Sequence, residues 1–129
     1  MSETPRDVNT LKVIVFPNTT QLPLYVGDAV GIFARHDLAI ERTITPTSTF
    51  QITRLAAGEF DIAIGAFDNI VAFQEGQGAE LLDDPDLFAF MGVARMNLQL
   101  VVQPDIQGYD DLRGKTLAVD AVSSGFVSV

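Results

Sequence analysis

The chain has 129 residues, 47% of them apolar, and 17 acidic against 8 basic side chains give it a formal charge of −9. That length supports one buried core, and the acidic balance argues against a nucleic-acid surface, which needs clustered Lys and Arg. With no cysteine there is neither disulfide nor thiolate chemistry, and no apolar run reaches the roughly 18 residues of a membrane-spanning helix.

The first residues, Met1 to Asn9, are polar and lack the basic-then-apolar pattern of a signal peptide. Lys12 to Phe16 is a β-branched run ending at Pro17-Asn18, which predicts a buried strand and its exit loop. From Leu22, apolar residues recur at Val26, Ala29, Val30 and Phe33, the spacing of one inward helix face. Pro23 suits the first turn of that helix, and Gly31 suits its end, leaving Ile32 to His36 as an extra turn. His36, the lone histidine, lies in a polar Arg35-His36-Asp37 stretch and cannot by itself build a zinc site.

Leu38 to Ile44 alternates as a second strand. Pro46-Thr47-Ser48-Thr49 is rich in cap formers and precedes a helix with Ile52, Leu55 and Ala56 inward and Gly58 as its stop. Phe60 to Ile64 reads as a third strand. Asp68 and Asn69 are expected to cap a helix carrying Ile70, Val71 and Phe73, closed by Gly76 and Gly78. Leu87 to Val93, Leu98 to Val102 and Thr116 to Val119 are further apolar runs expected as strands, and Asp110 to Arg113 forms one helical turn.

Strands alternating with helices predict an α/β fold with a largely parallel sheet. Ligands of such sheets bind beyond the carboxyl ends of the strands, near helix N-termini. That rule selects the loops Pro17 to Gln21, Pro46 to Thr49 and Ala66 to Asn69, with Ser123-Ser124-Gly125 as a fourth. Their hydroxyl and amide groups either cap helices or, beside free N–H groups, share a small polar solute. Phe16, Tyr25, Phe67, Phe73 and Phe90 are expected in the core, with Phe16, Tyr25 and Phe67 close enough to the mouth to stack on a flat ligand.

Catalytic patterns are weak. There is no Ser-His-Asp set, nucleophile elbow, phosphate loop or dinucleotide glycine motif. Gly76-Gln77-Gly78 reads as a turn, and Asp83-Asp84-Pro85-Asp86 lacks the spacing of a calcium loop. No catalytic residue, metal site or cofactor is expected.

Val13-Ile14-Val15-Phe16-Pro17 followed by Leu22-Pro23-Leu24-Tyr25-Val26 resembles the opening of the sulfonate, nitrate and thiamine-precursor group of ABC-transporter solute-binding proteins. The likeness continues through Gly31-Ile32-Phe33-Ala34-Arg35, Leu38-Ala39-Ile40-Glu41 and Leu55-Ala56-Ala57-Gly58-Glu59-Phe60-Asp61-Ile62-Ala63. It ends in Asp111-Leu112-Arg113-Gly114-Lys115-Thr116-Leu117-Ala118-Val119. The resemblance implies a periplasmic-binding-protein type II lobe, with a mostly parallel five-stranded sheet, helices on both faces and the start of a second lobe. Residues 1–10 would be an extended or disordered segment, 11–103 the first lobe, and 104–129 the crossover and truncated start of the second.

Carried over residue by residue, the resemblance places Asn18, Thr19, Thr20, Ser48, Thr49, Asp68 and Asn69 around a solute, with Ser123 and Ser124 reaching it from the second lobe. It implies an extracytoplasmic protein that hands a small polar organic solute to ABC importer membrane subunits. Asp68, if it faces the cleft, favours a ligand with a donor over nitrate or a simple sulfonate. Family members continue through a complete second lobe, so the chain is expected to be a fragment or to pair with another copy or a missing segment. Two other readings stay open: an enzyme on the same fold, of the pyrimidine-precursor or desulfinase kind, and a cytoplasmic ligand-sensing lobe.

Overall fold

The β-branched run Val13-Ile14-Val15 forms the middle of a three-stranded parallel sheet, and all three side chains are buried. Successive strand residues point to opposite faces, so burial of three in a row means that both faces of this strand are covered. The computed structural model describes residues 9–76, 85–95 and 99–119. Within them β1 is Asn9–Val15, β2 Leu38–Ile44 and β3 Ile62–Ile64, in the order β2-β1-β3. β1 pairs with β2 from Asn9↔Leu38 to Val15↔Ile44, and with β3 from Val13↔Ile62 to Val15↔Ile64.

The strands begin and end where the pairing allows. Asn9 N–H donates to the Asp37 carbonyl at 2.9 Å, so Asn9 and Thr10 belong to β1 rather than to a loose N-terminal segment. At the start of β3, Asp61 N–H donates to the Lys12 carbonyl at 2.9 Å, while Lys12 N–H donates to Asp61 Oδ2 at 2.8 Å. These two bonds fix the register of a strand of three residues, two shorter than the apolar run indicates.

The helices are α1 Leu22–Ala29, α2 Ile32–Arg35, α3 Ser48–Ala56 and α4 Phe67–Gln74, with 3-10 turns at Thr19–Gln21 and Tyr109–Leu112. Gly31 at φ 68 separates α1 from α2, a left-handed conformation that glycine adopts without a Cβ penalty. The inward face of α1 differs from the expected one: Leu22, Val26 and Val30 are 60%, 48% and 54% exposed. Gly27 is the buried residue, because the Phe33 ring packs where its side chain would be, 2.7 Å from an ideal Cβ.

α3 begins at Thr47, whose Oγ1 accepts the Phe50 N–H at 3.1 Å. It buries Ile52 and partly buries Leu55, leaves Ala56 exposed, and stops at Gly58, φ 73. Ile52 packs with Phe73 of α4 and with Leu87, flanked by Leu55 and Ile70. Gln74 Nε2 donates to the Leu87 carbonyl at 2.6 Å and ties this segment to α4. α4 opens at least two residues earlier than expected, with Ala66 as its N-cap and no side-chain cap bond, so Asp68 and Asn69 lie inside its first turn rather than capping it. Gly76, φ 67, closes it; Gly78 lies outside the described residues.

Among the described residues the sheet has three strands, not five. The residues of 87–93, 99–102 and 116–119 pair with no strand, and Leu98 lies outside the description. Only Leu87 of the first run is buried; Phe88, Phe90 and Met91 are exposed, which also removes Phe90 from the expected core. An apolar run becomes a strand only when a neighbouring edge takes its backbone groups, and β3 offers an edge of just three residues. No helix among the described residues is long and apolar enough to cross a membrane.

The packing yields a contrast in stability. Phe73→Ala is expected to cost about 3 kcal/mol or more, whereas Val26→Ala is expected to stay within about 0.5 kcal/mol. Urea denaturation followed by far-UV circular dichroism measures both; equal losses would mean that the α1 stripe is a core face after all.

Candidate functional site

The sheet order makes the chain leave β1 and β3 in different directions. Because β2 and β3 flank β1 on opposite sides, right-handed crossovers place the α1–α2 connection on one face and α3 on the other. α4 packs against α3, so the chain leaves β3 toward the α3 face and leaves β1 toward the α1 face. Diverging exits of this kind form the crevice in which open α/β sheets bind ligands.

Gln51 bridges the ends of the two strands. Its side chain is fully buried, and its Nε2 donates to the Ile14 carbonyl at 3.2 Å and to the Ile64 carbonyl at 3.1 Å, one from each diverging strand. With the amide nitrogen committed to two carbonyls, Oε1 faces the other way, toward Gly65. An ideal Cβ on Gly65 would stand 2.5 Å from that oxygen, so glycine is the residue that fits there. On the β1 side, Gln21 is also buried, and its Nε2 donates to the Phe16 carbonyl at 2.5 Å.

The first two candidate loops spend their polar groups internally. Asn18 Oδ1 accepts Thr20 N–H at 3.0 Å and Thr20 Oγ1–H at 2.5 Å, closing the 3-10 turn; Thr19 is exposed. In the second loop Thr47, not Ser48 or Thr49, is the cap, and Thr45 Oγ1 donates to the Thr47 carbonyl at 2.7 Å. Ser48 and Thr49 are the first two residues of α3. Thr49 lines an open depression with Thr47, Phe50, Thr53, Arg54 and Ala57, on the helix flank opposite Ile52 and Leu55. Arg54 is engaged there, ion-paired with Glu59 and 5.3 Å from the centre of the Phe50 ring.

The third loop makes no side-chain cap bond to α4. Phe67 is 64% exposed at the start of α4, while Asn69 is buried. Asp68 keeps one buried oxygen, Oδ2, without a hydrogen-bond partner among the described residues, and Gln21 Oε1 and Gln51 Oε1 share that condition. Tyr25 lies under the Arg42 guanidinium at 4.6 Å and is half exposed, and Arg42 also pairs with Asp28. Ser123 and Ser124 lie outside the described residues. Among those residues, no group of three or more His, Cys, Asp and Glu is placed to hold a metal ion.

Gln51 and Gly65 went unselected in the sequence, and Gln21 entered only as the last residue of the first loop. Gln51 does carry a signal: it stands four residues before Leu55 and next to Ile52, a polar residue on the inward stripe of α3. Comparison with family models, with curated proteins and with solved structures finds no match in any of the three.

The cap assignment can be measured directly. Thr47→Ala is expected to destabilise the chain by about 1 kcal/mol, and Ser48→Ala by less than about 0.5 kcal/mol. Denaturant midpoints at constant slope decide it, and a larger loss for Ser48→Ala would reverse the assignment.

Proposed function

We propose that the chain binds a small polar organic solute at the carboxyl edge of its parallel sheet, as the substrate-binding component of an ABC importer. The observation that supports this reading is the divergence of the chain after β1 and β3, where Gln51 bridges both strand ends and the loops that follow carry buried Gln21 and Asn69 and half-buried Asp68. Buried polar groups beside a crevice in a parallel sheet are what a solute site requires. Phe67, exposed at the start of α4, offers a ring for a flat portion of the solute.

The importer assignment rests on the ordered series of motifs from Val13 to Val119. On this reading the three strands are the centre of a type II lobe, with further strands beyond β3 completing five. Ser123 and Ser124 approach from the second lobe, and closure of the lobes around the solute signals to the membrane subunits. The chain works outside the cytoplasm and performs no covalent chemistry.

A thermal-shift screen of amines, sulfonates, pyrimidines and aromatic acids tests this. A ligand that binds only the folded state stabilises it by about 2.7 kcal/mol at a hundredfold excess over its Kd, so a solute class that raises Tm in proportion to the logarithm of its concentration is expected. Conversion of a candidate into product, detected by mass spectrometry, would replace the binding reading with an enzyme.

A further inference from the structure

We propose that the apolar run from Leu87 to Val93 is a self-association surface, on which a second copy of this chain lays the same run antiparallel across a twofold axis. The contact takes one edge of the run and is independent of the solute-binding reading. Composition and surroundings disagree along this segment. Phe88, Phe90, Met91 and Val93 are 78%, 67%, 67% and 40% exposed, although no polar or charged side chain occurs from Leu87 to Ala94. The backbone groups of residues 88–93 make no hydrogen bond among the described residues. An uncharged apolar segment with unpaired backbone groups is a template for another strand.

The run is already anchored and extended. Leu87 is buried against Ile52 and Phe73, and Gln74 Nε2 donates to its carbonyl at 2.6 Å, which fixes one end. Phe88 and Phe90, two residues apart, bring their ring centroids to 6.5 Å, as side chains on one face of an extended backbone do. A Cβ added to Gly92 would meet nothing within 4 Å, so the space beside that residue is open.

The ends of the run select a second copy as its occupant. Asp86 stands just before it and Arg95 just after, both exposed, and neither has an ion-pair partner among the described residues. Antiparallel self-pairing brings the Asp86 end of each copy to the Arg95 end of the other, and so makes two contacts of unlike charge at once. A twofold axis through such a pair sets one residue opposite its own counterpart. With Phe90 at that centre, Phe88 falls opposite Gly92 of the second copy, where there is room for a ring. A chain of net charge −9 repels its own kind, so association has to run through a stretch whose charges cancel. Asp86 and Arg95 make this one neutral.

Sedimentation equilibrium of the 129-residue chain over a wide concentration range tests the proposal. The mass is expected to rise reversibly from 14.0 kDa to twice that value. Phe88→Lys and Phe90→Lys, both at exposed positions, are expected to keep the chain monomeric with an unchanged far-UV circular dichroism spectrum. Asp86→Arg or Arg95→Asp alone sets like charges together and is expected to weaken the dimer about tenfold. Combining the two swaps is expected to restore it, which mere apolar stickiness would not do. Should the lysine variants fail to fold, the charge swaps decide alone. A monomer at every concentration would leave the run to some other occupant and overturn the proposal. A dimer that survives in both lysine variants, or a double swap no tighter than the single ones, would overturn it equally. So would a mass that climbs past the dimer, because a twofold contact closes on itself.

Discussion

The two hydrogen bonds from Gln51 Nε2 are the constraint on which the site depends. Parallel strands that send their chains to opposite faces must part at their carboxyl ends, and the carbonyls they expose there need a donor. Gln51 supplies one nitrogen to Ile14 and Ile64 together, and so sets how far β1 and β3 separate. It reaches them because Thr47 caps α3 and fixes where that helix begins, and because Gly65 has no Cβ to occupy the space of its oxygen. Cap, strut and glycine are thus one local device, contributed by two different connections.

The same device separates structural from functional polarity. In the first two loops the polar side chains mostly serve the backbone: Asn18 closes the turn before α1, Thr45 and Thr47 stitch the entry to α3, and Gln21 secures the Phe16 carbonyl. In the third loop no side chain caps α4, and Asp68 enters its first turn with a buried oxygen unpaired. A negative charge there is favourable in itself, because it faces the positive end of the helix dipole. Among the described residues, the buried side-chain oxygens left without a hydrogen bond after these local duties are Gln21 Oε1, Gln51 Oε1 and Asp68 Oδ2.

Much of the fold was legible because its signals are local. The β-branched run at Val13 to Val15, the full extent of β2 from Leu38 to Ile44, the stops at Gly31 and Gly58, and Ile52 as a core residue each follow from a few neighbouring residues. The failures share one cause, dependence on partners distant in the chain. Leu22, Val26 and Val30 form a proper helical stripe, yet Phe33 packing on Gly27 turns that stripe outward. The runs 87–93 and 116–119 have strand composition but pair with no strand among the described residues. In the site, sequence reasoning named the loop that ends in Gln21 without singling that residue out and passed over Gln51, since glutamine is neither a strong cap former nor a usual catalytic group. Its importance here comes from carbonyls 37 and 13 residues away.

The central claim is that one side-chain amide joins the ends of β1 and β3, and nuclear magnetic resonance of the glutamine side chains addresses it without any ligand. The Gln51 Nε2 protons should exchange slowly with solvent and show nuclear Overhauser contacts to both Val15 and Gly65, the residues that follow the two bonded carbonyls. Fast exchange at the rate of a free glutamine, or contacts to one strand only, would contradict the account and leave the two strand ends unbridged.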